Sequence, residues 1–334
     1  MPRMRKLIND PEEFVDEMLE GLLLAHPGRL RALEQEPRAV VLVGGDQSPR
    51  VTIATGGGSG HLPLFVDYVR PGFVDGCCVG HLFAAPSAEQ MLEVTKAIDR
   101  GQGVLYLYGN YGGDRLNFDL AADLAAAEGI QVNTVRGADD IISAPLENRE
   151  RRRGIAGIYF GYKIAGAAAA TGAALDEVTR ITREALERTR SIGVALSGTT
   201  LPTVGHPNFD VPEGEMEIGM GIHGEPGVRR GPLLPADEVV DDMMQRLLTD
   251  FGELDGSSFA VLVNGLGATP LEELYIIYRR VHHKLLEAGH RVHRAFVGEY
   301  ATSLEMAGAS VSLLRLDDEL TAYLDAPADN AEAG

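Results

Sequence analysis

The chain has 334 residues but only two cysteines, and they are neighbours, Cys77 and Cys78. Adjacent cysteines cannot staple a fold, which excludes a disulfide framework and fits a reducing compartment. Cationic residues are also scarce: Lys plus Arg is 30 against 49 Asp plus Glu, a formal net charge of −19. A surface of that sign repels phosphate backbones and anionic membranes, so nucleic-acid binding is disfavoured. No apolar run approaches the length of a membrane span. The start, Met1-Pro2-Arg3-Met4-Arg5-Lys6, is followed by acidic residues and not by the apolar core of a signal peptide. These absences lead us to expect a soluble, cytoplasmic protein. There is no Gly-Lys pair anywhere, which rules out a Walker A loop, and there is no internal repeat.

What is abundant is glycine, 40 residues, much of it gathered into loops. Val51–Thr55 is a β-rich run entering Gly56-Gly57-Gly58-Ser59-Gly60-His61; Val104–Tyr108 is another, entering Gly109-Asn110-Tyr111-Gly112-Gly113-Asp114. Ser87-Ala88-Glu89-Gln90 has the form of a capping box for a helix between them. Leu116–Ala127 reads as helix and Gln131–Val135 as strand. This alternation predicts an α/β fold, a mainly parallel sheet with helices on both faces. Ligands in such sheets sit at the carboxyl ends of strands, where both Gly-rich loops fall.

Further along, Asp10-Pro11-Glu12-Glu13 predicts a helix start. Gly161–Leu186 reads as one helix with a small-residue centre, and Gly193–Leu196 as strand. Residues 199–235 are rich in Pro and Gly, the length of irregular chain that is usually functional or a linker. We place a subdomain boundary at its start, giving 1–198 and 199–325, with 326–334 as a disordered tail. Phe259–Val263, Arg291–Val297 and Ser310–Arg315 read as strands, and Thr269-Pro270-Leu271-Glu272 as a capping box opening a helix to about Glu287.

Two histidines draw attention. The run Gly56–His61 could cradle a phosphate, but a dinucleotide fingerprint or a nucleophile elbow would need a small residue where His61 stands. The plain alternative is a glycine turn between strand and helix. His223 lies among Gly219, Gly221, Gly224 and Gly227, which would let backbone approach a ligand and leave the imidazole uncrowded; a histidine in an ordinary turn fits equally well. His282, His283, His290 and His293 lack the spacing of a metal site and read as solvated residues, so no metal is expected. Arg151-Arg152-Arg153 reads as a capping or surface cluster.

Taken in order, several segments resemble the substrate-binding K subunit of dihydroxyacetone kinases: Lys6–Pro11, Gly56–His61, Asn110-Tyr111, Gly113-Asp114, Asn117-Phe118, Arg152–Gly157, Glu215–Gly227, and Leu266–Leu271 with Glu273-Leu274-Tyr275. The resemblance implies that His223 adds to a ketone to form a hemiaminal. It implies that His61 and Asp114 are the acid–base pair near the hydroxyl to be phosphorylated. Gly58, Ser59 and Gly60 would hold the ketose beside His61, Gly109 and Asp114. It implies no cofactor in this chain, with ATP and Mg or ADP carried by a separate L-type subunit, possibly served by a phosphotransferase system, and a homodimer. Other proteins of this kind act as ligand sensors or transcriptional co-activators. The family pattern Lys-Asn-Tyr-Thr-Gly-Asp is here Gly109-Asn110-Tyr111-Gly112-Gly113-Asp114, and Leu62, Phe65 and His81 also depart from it. Loss of a Lys and a Thr suggests extra room, and hence a four-carbon ketose such as erythrulose in preference to dihydroxyacetone.

Overall fold

The computed structural model describes residues 6–44 and 48–327. The short apolar runs of the sequence assemble into two six-stranded sheets. The first runs β1 (Leu30–Leu33), β2 (Glu36–Leu42), β4 (Gly76–Leu82), β3 (Thr52–Ser59), β5 (Val104–Gly109), β6 (Val132–Gly137). The second runs β11 (Arg291–Gly298), β10 (Ser258–Gly265), β12 (Gly308–Leu316), β7 (Thr189–Ala195), β8 (Glu215–Ile218), β9 (Arg229–Pro232). The expected α/β class therefore holds. Parallel pairing is confined to β4–β3–β5–β6 and to β10–β11. The rest of the second sheet is antiparallel; within it, β7, β8 and β9 are joined by loops and not by the crossover helices that parallel neighbours need.

Helices α2 (Ala88–Ile98) and α3 (Gly112–Ala127) cover one face of the first sheet, burying Met91, Val94 and Phe118 against Ala54 and Tyr106. Helices α4 (Ile158–Ala170) and α5 (Leu175–Glu187) cover the other. One apolar cluster runs from Ile53 and Leu105 of the first sheet through Phe160, Ile164 and Ile181 to Leu262 and Leu314 of the second. Helix α4 is thus an inner layer and is buried from Ile158 to Ala169. That explains its run of small residues: a Cβ on Gly166 would lie 2.2 Å from the Gly72 carbonyl oxygen. Helices α6 (Ala236–Phe251) and α7 (Leu271–Glu287) close the far face of the second sheet through Met243, Leu247 and Val281. Helix α1 (Phe14–Ala25) and the final helix α8 (Asp318–Asp325) complete the chain. Among the described residues no helix is long and apolar enough to cross a membrane.

Several expectations need correction. The boundary expected at residue 199 separates β7 from β8, which are neighbours in one sheet; the chain changes sheets between β6 and β7. The single helix expected over 161–186 is two, α4 and α5, divided at Thr171-Gly172, where Gly172 takes φ +78°. Asp10 accepts from the Glu12 amide in a local turn, and α1 begins only at Phe14. Thr269 forms no capping box: its hydroxyl is engaged with both the carbonyl and the amide of Gly308. The Ser87–Gln90 capping box does form. The irregular stretch 199–235 contains β8 and β9. Of the expected tail, 328–334 lies outside the described residues.

Candidate active site between the two sheets

The glycine run is not a loop. Gly56, Gly57 and Gly58 continue β3, and a Cβ on each would lie 2.6 Å from the Cys78 carbonyl oxygen, 2.3 Å from the Phe65 ring and 2.6 Å from the Ala84 amide nitrogen respectively. They let β4, the Phe65 ring and the loop after β4 lie directly on the strand. The turn comes at Gly60, φ +101°. Glycine in a strand has no side chain to signal its register, so the sequence reads as a loop where the structure is strand.

His61 follows at the carboxyl end of β3, 1% exposed. The loop between β11 and β12, from the other sheet, fixes it. Its Nδ1 lies 2.7 Å from the Thr302 carbonyl oxygen, Thr302 donates its amide to the His61 carbonyl, and Leu304 donates to the Gly60 carbonyl. The Phe83 ring stacks on the imidazole at 4.8 Å. Among the described residues, the non-glycine positions with positive φ are Phe65, Phe83 and Leu304, and all three are neighbours of His61 or Gly60. Backbone strain of this kind persists where surrounding contacts over-determine it and concentrates at working sites.

His223 lies on the loop between β8 and β9, and its Nε2 is 3.0 Å from Nε2 of His61. Its Nδ1 faces Glu225 Oε1 at 3.2 Å, and its amide donates to Glu225 Oε2. Behind Glu225 stands Arg153 at 3.4 Å, which is held in turn by Asp140 at 2.8 Å. Tyr111 and Phe83 present their rings edge-on to His223. The glycines around His223 serve the protein and not a ligand. A Cβ on Gly221 would lie 2.2 Å from Glu225 Oε2 and 2.5 Å from an Arg153 guanidinium nitrogen. Gly219 and Gly224 supply left-handed turns, φ +84° and +85°.

Asp114 stands in the first turn of α3, buried, with Oδ1 lacking a hydrogen-bond partner among the described residues; Ser59 Oγ is in the same condition. Buried polar atoms without partners are rare enough to require a reason. Burial raises the Asp114 carboxyl to about 6, against the lowering influence of His223. Gly58 and Gly60 pack against Phe83 and its neighbours. Gly109 does not open space: a Cβ there would lie 3.1 Å from the Tyr111 ring, which takes up the room. Around Gly112, by contrast, nothing lies within 4 Å of a Cβ.

The proton inventory follows from hydrogen-bond roles. A carbonyl only accepts, so His61 carries its hydrogen on Nδ1 toward Thr302 and offers a lone pair at Nε2. Burial, with His223 alongside, lowers His61 to about 3, so it is neutral at ordinary pH. His223 must then donate through Nε2, while the Glu225 carboxylate calls for a hydrogen on Nδ1. Burial pushes Glu225 up, but the His223 hydrogen bond and the charges of His223 and Arg153 outweigh it and hold it at about 2. The pair is thus a neutral imidazole facing a second ring that has a carboxylate behind it.

His61, His223, Asp114 and Ser59 of the expected residues come to the facing edges of the two sheets. Glu225, Arg153, Asp140, Tyr111 and Phe83 were not singled out individually; Glu225, two residues after His223, was the legible one. No His, Cys, Asp and Glu grouping among the described residues could hold a metal. His290 is buried against Phe259 and not solvated, and His293 pairs with Asp325. Arg152 is no surface residue: it is 1% exposed and paired with Asp250.

Known proteins of similar sequence and fold place the chain in a family. The Dak1 domain family matches residues 20–332. The chain is 48% identical over 326 residues to the PTS-dependent dihydroxyacetone kinase 2, dihydroxyacetone-binding subunit DhaK, of Listeria innocua, covering 98% of each. It is 44% identical over 330 residues to the L-erythrulose kinase of Pectobacterium atrosepticum, covering 98% of this chain and 55% of that protein. The solved structure of the dihydroxyacetone kinase operon co-activator Dha-DhaQ superposes with a TM-score of 0.87 at 31% identity, covering 96% of this chain and 97% of the other. The chain belongs to the Dak1 family.

Proposed function

We propose that this Dak1-family chain is the ketose-binding subunit of a dihydroxyacetone-kinase-type phosphotransferase, holding its substrate as a hemiaminal on His223. The observation that carries the reading is the approach of the two Nε2 atoms, one backed by a carbonyl and the other by a carboxylate. A ketone entering between them meets a nucleophile in waiting. The hydrogen on His223 Nε2 passes to Nε2 of His61, and the freed lone pair adds to the carbonyl carbon. The carbonyl π bond opens, and its oxygen takes the proton from His61. Charge is conserved, since His223 keeps its Nδ1 hydrogen toward Glu225. Glycerol has no carbonyl and would not be captured.

With the carbonyl carbon fixed, a terminal hydroxyl can reach the unpartnered oxygen of Asp114, which acts with His61 as the acid–base pair for phosphorylation. Ser59 Oγ supplies a further hydrogen bond to the ketose, with Gly58, Gly60 and Gly109 shaping the walls around it. The phosphoryl donor, ATP with Mg or ADP, would be carried by an L-type subunit, possibly served by a phosphotransferase system. The K-type chain would act as a homodimer. The reading is tested by assaying the chain alone and with such a partner. Turnover of dihydroxyacetone or erythrulose, but not glycerol, should require both proteins; robust kinase activity of the isolated chain would contradict the divided site.

Gly112 is exposed, and nothing lies within 4 Å of a Cβ there; with no side chain at that position, one enantiomer of erythrulose should show the higher kcat/KM. Gly112→Thr, and not the Gly109→Lys exchange that the sequence alone would suggest, should move the preference toward dihydroxyacetone. An unchanged ratio of the two efficiencies would remove that part of the proposal.

The likeness to a co-activator supports a second reading, a ketose sensor. The unpartnered Asp114 and Ser59 oxygens favour chemistry, since a sensor has no use for a base at the hydroxyl. Ketose capture without turnover alongside an active partner would establish the sensor instead.

A further inference from the structure

The second concentration of charge in the molecule is of the wrong sign for its composition. A solvent-open cavity of about 260 Å³ lies between β6, α5 and the turn of helix at Leu146–Arg151. Its lining includes Arg136, Arg149, Arg152, Arg183 and Arg190, against two carboxylates, Glu150 and Glu187. This occurs in a chain whose formal net charge is −19.

The floor is the telling part. Arg152 is 1% exposed and Arg190 8%, and both guanidinium groups rest on the single carboxylate of Asp250, at 2.5 Å in each case. Two buried cations sharing one anion leave a positive charge without a partner. Burying a charge uncompensated is strongly destabilising, so such a charge needs a counter-ion from somewhere. Arg152 donates Nε to the Ala144 carbonyl, and Arg190 donates to the carbonyls of Glu187 and Thr189, which fixes both planes and supplies no charge. At the rim, Arg136 and Arg183 are exposed and make no ion pair with a described residue, while Arg149 is 3.8 Å from Glu187. Val135 and Leu186 add apolar wall, and Thr134 a hydroxyl.

We propose that this cavity is a binding site for a small phosphate monoester, its dianionic head on the arginines and its short carbon skeleton against Val135 and Leu186. Arginine remains charged at every working pH and its planar fork matches phosphate oxygens two at a time. The cavity exceeds what a bare phosphate fills, which favours an ester over the free ion. None of His61, His223, Asp114 or Ser59 lines it, so the site is separate from the ketose site.

The test is isothermal titration of the full chain with glycerol 2-phosphate, and separately with inorganic phosphate, at constant ionic strength. Glycerol 2-phosphate lacks a carbonyl and cannot be captured by His223. Saturable one-to-one binding is expected in the wild type and in His223→Ala. The rim variant Arg136→Gln/Arg183→Gln, whose exposed positions leave the core intact, should bind about tenfold more weakly or worse, given the strength of guanidinium–phosphate hydrogen bonds. An absence of saturable binding, binding unchanged in the rim variant, or binding lost in His223→Ala would each overturn the proposal. So would capture of inorganic phosphate alone.

Discussion

The two histidines meet ring to ring yet live in opposite surroundings. His61, at the end of the glycine strand, is enclosed by aromatic rings and touched by one backbone carbonyl. His223, on the loop of the second sheet, keeps a quarter of its side chain exposed and leans on a carboxylate, a guanidinium and a second carboxylate in line. Apolar enclosure keeps the first ring neutral; the charged row orients the second one. In the proposed function the same chemical group serves as a base in one region and a nucleophile in the other, and the difference lies in what stands behind each ring.

That contrast can be broken from either side. The largest effect is expected from His223→Ala, which removes the atom proposed to bond the ketone; kcat/KM with the proposed partner subunit should fall to background, as steady-state assays would show. Next is Asp114→Asn, which keeps the shape but cannot accept the hydroxyl proton. A loss of ~100- to 10,000-fold in kcat is expected, the usual worth of general acid–base catalysis. The same variant sharpens a pH prediction. With Asp114 raised to about 6, the base is ionised above that value, so the kcat profile of the wild type should rise through pH about 6. In the variant that limb should be absent.

Glu225→Gln should act more mildly, because the amide still orients the ring but no longer balances the charge the ring would gain on adding to a ketone. The expected loss is ~10- to 100-fold in kcat/KM, the range typical of removing the carboxylate or carbonyl behind a metal-bound histidine. Glu225→Asp should recover only part of it. The smallest effect is on stability. His61 is lowered to about 3 from a usual 6.5, so the unfolded chain binds a proton that the folded one refuses. Stability from this group is complete above pH 6.5 and is lost as pH falls toward 3. Thermal melts of His61→Gln should show a weaker decline over that window than the wild type.

Much of this was legible in the sequence. The strand–glycine–histidine order, the capping box at Ser87 and the acidic residue opening α3 all have local signatures, and they place His61 and Asp114 at one sheet edge. The partners of the histidines do not. Thr302 acts through its backbone carbonyl, which any residue possesses, and it lies 241 residues from His61. Arg153 looked like one of three surface cations, and only the fold shows that Arg152 turns to Asp250 while Arg153 turns to Glu225. The glycines misled in a consistent way. They mark places where the protein's own atoms come close, Phe65 at Gly57 and Glu225 at Gly221, and the sequence cannot tell such neighbours from a ligand. The single helix expected over 161–186 failed for a related reason, since the break at Gly172 lies within an otherwise unbroken apolar period.

The account rests on capture of a ketone by His223, and carbon NMR of dihydroxyacetone labelled with carbon-13 at its carbonyl tests it most directly. With wild-type protein in excess, the labelled signal should leave the carbonyl region and reappear among tetrahedral carbons bearing nitrogen and oxygen. The new signal should be absent with His223→Ala. A tetrahedral adduct that persists in His223→Ala, or a carbonyl signal untouched by the wild-type protein, would contradict the assignment.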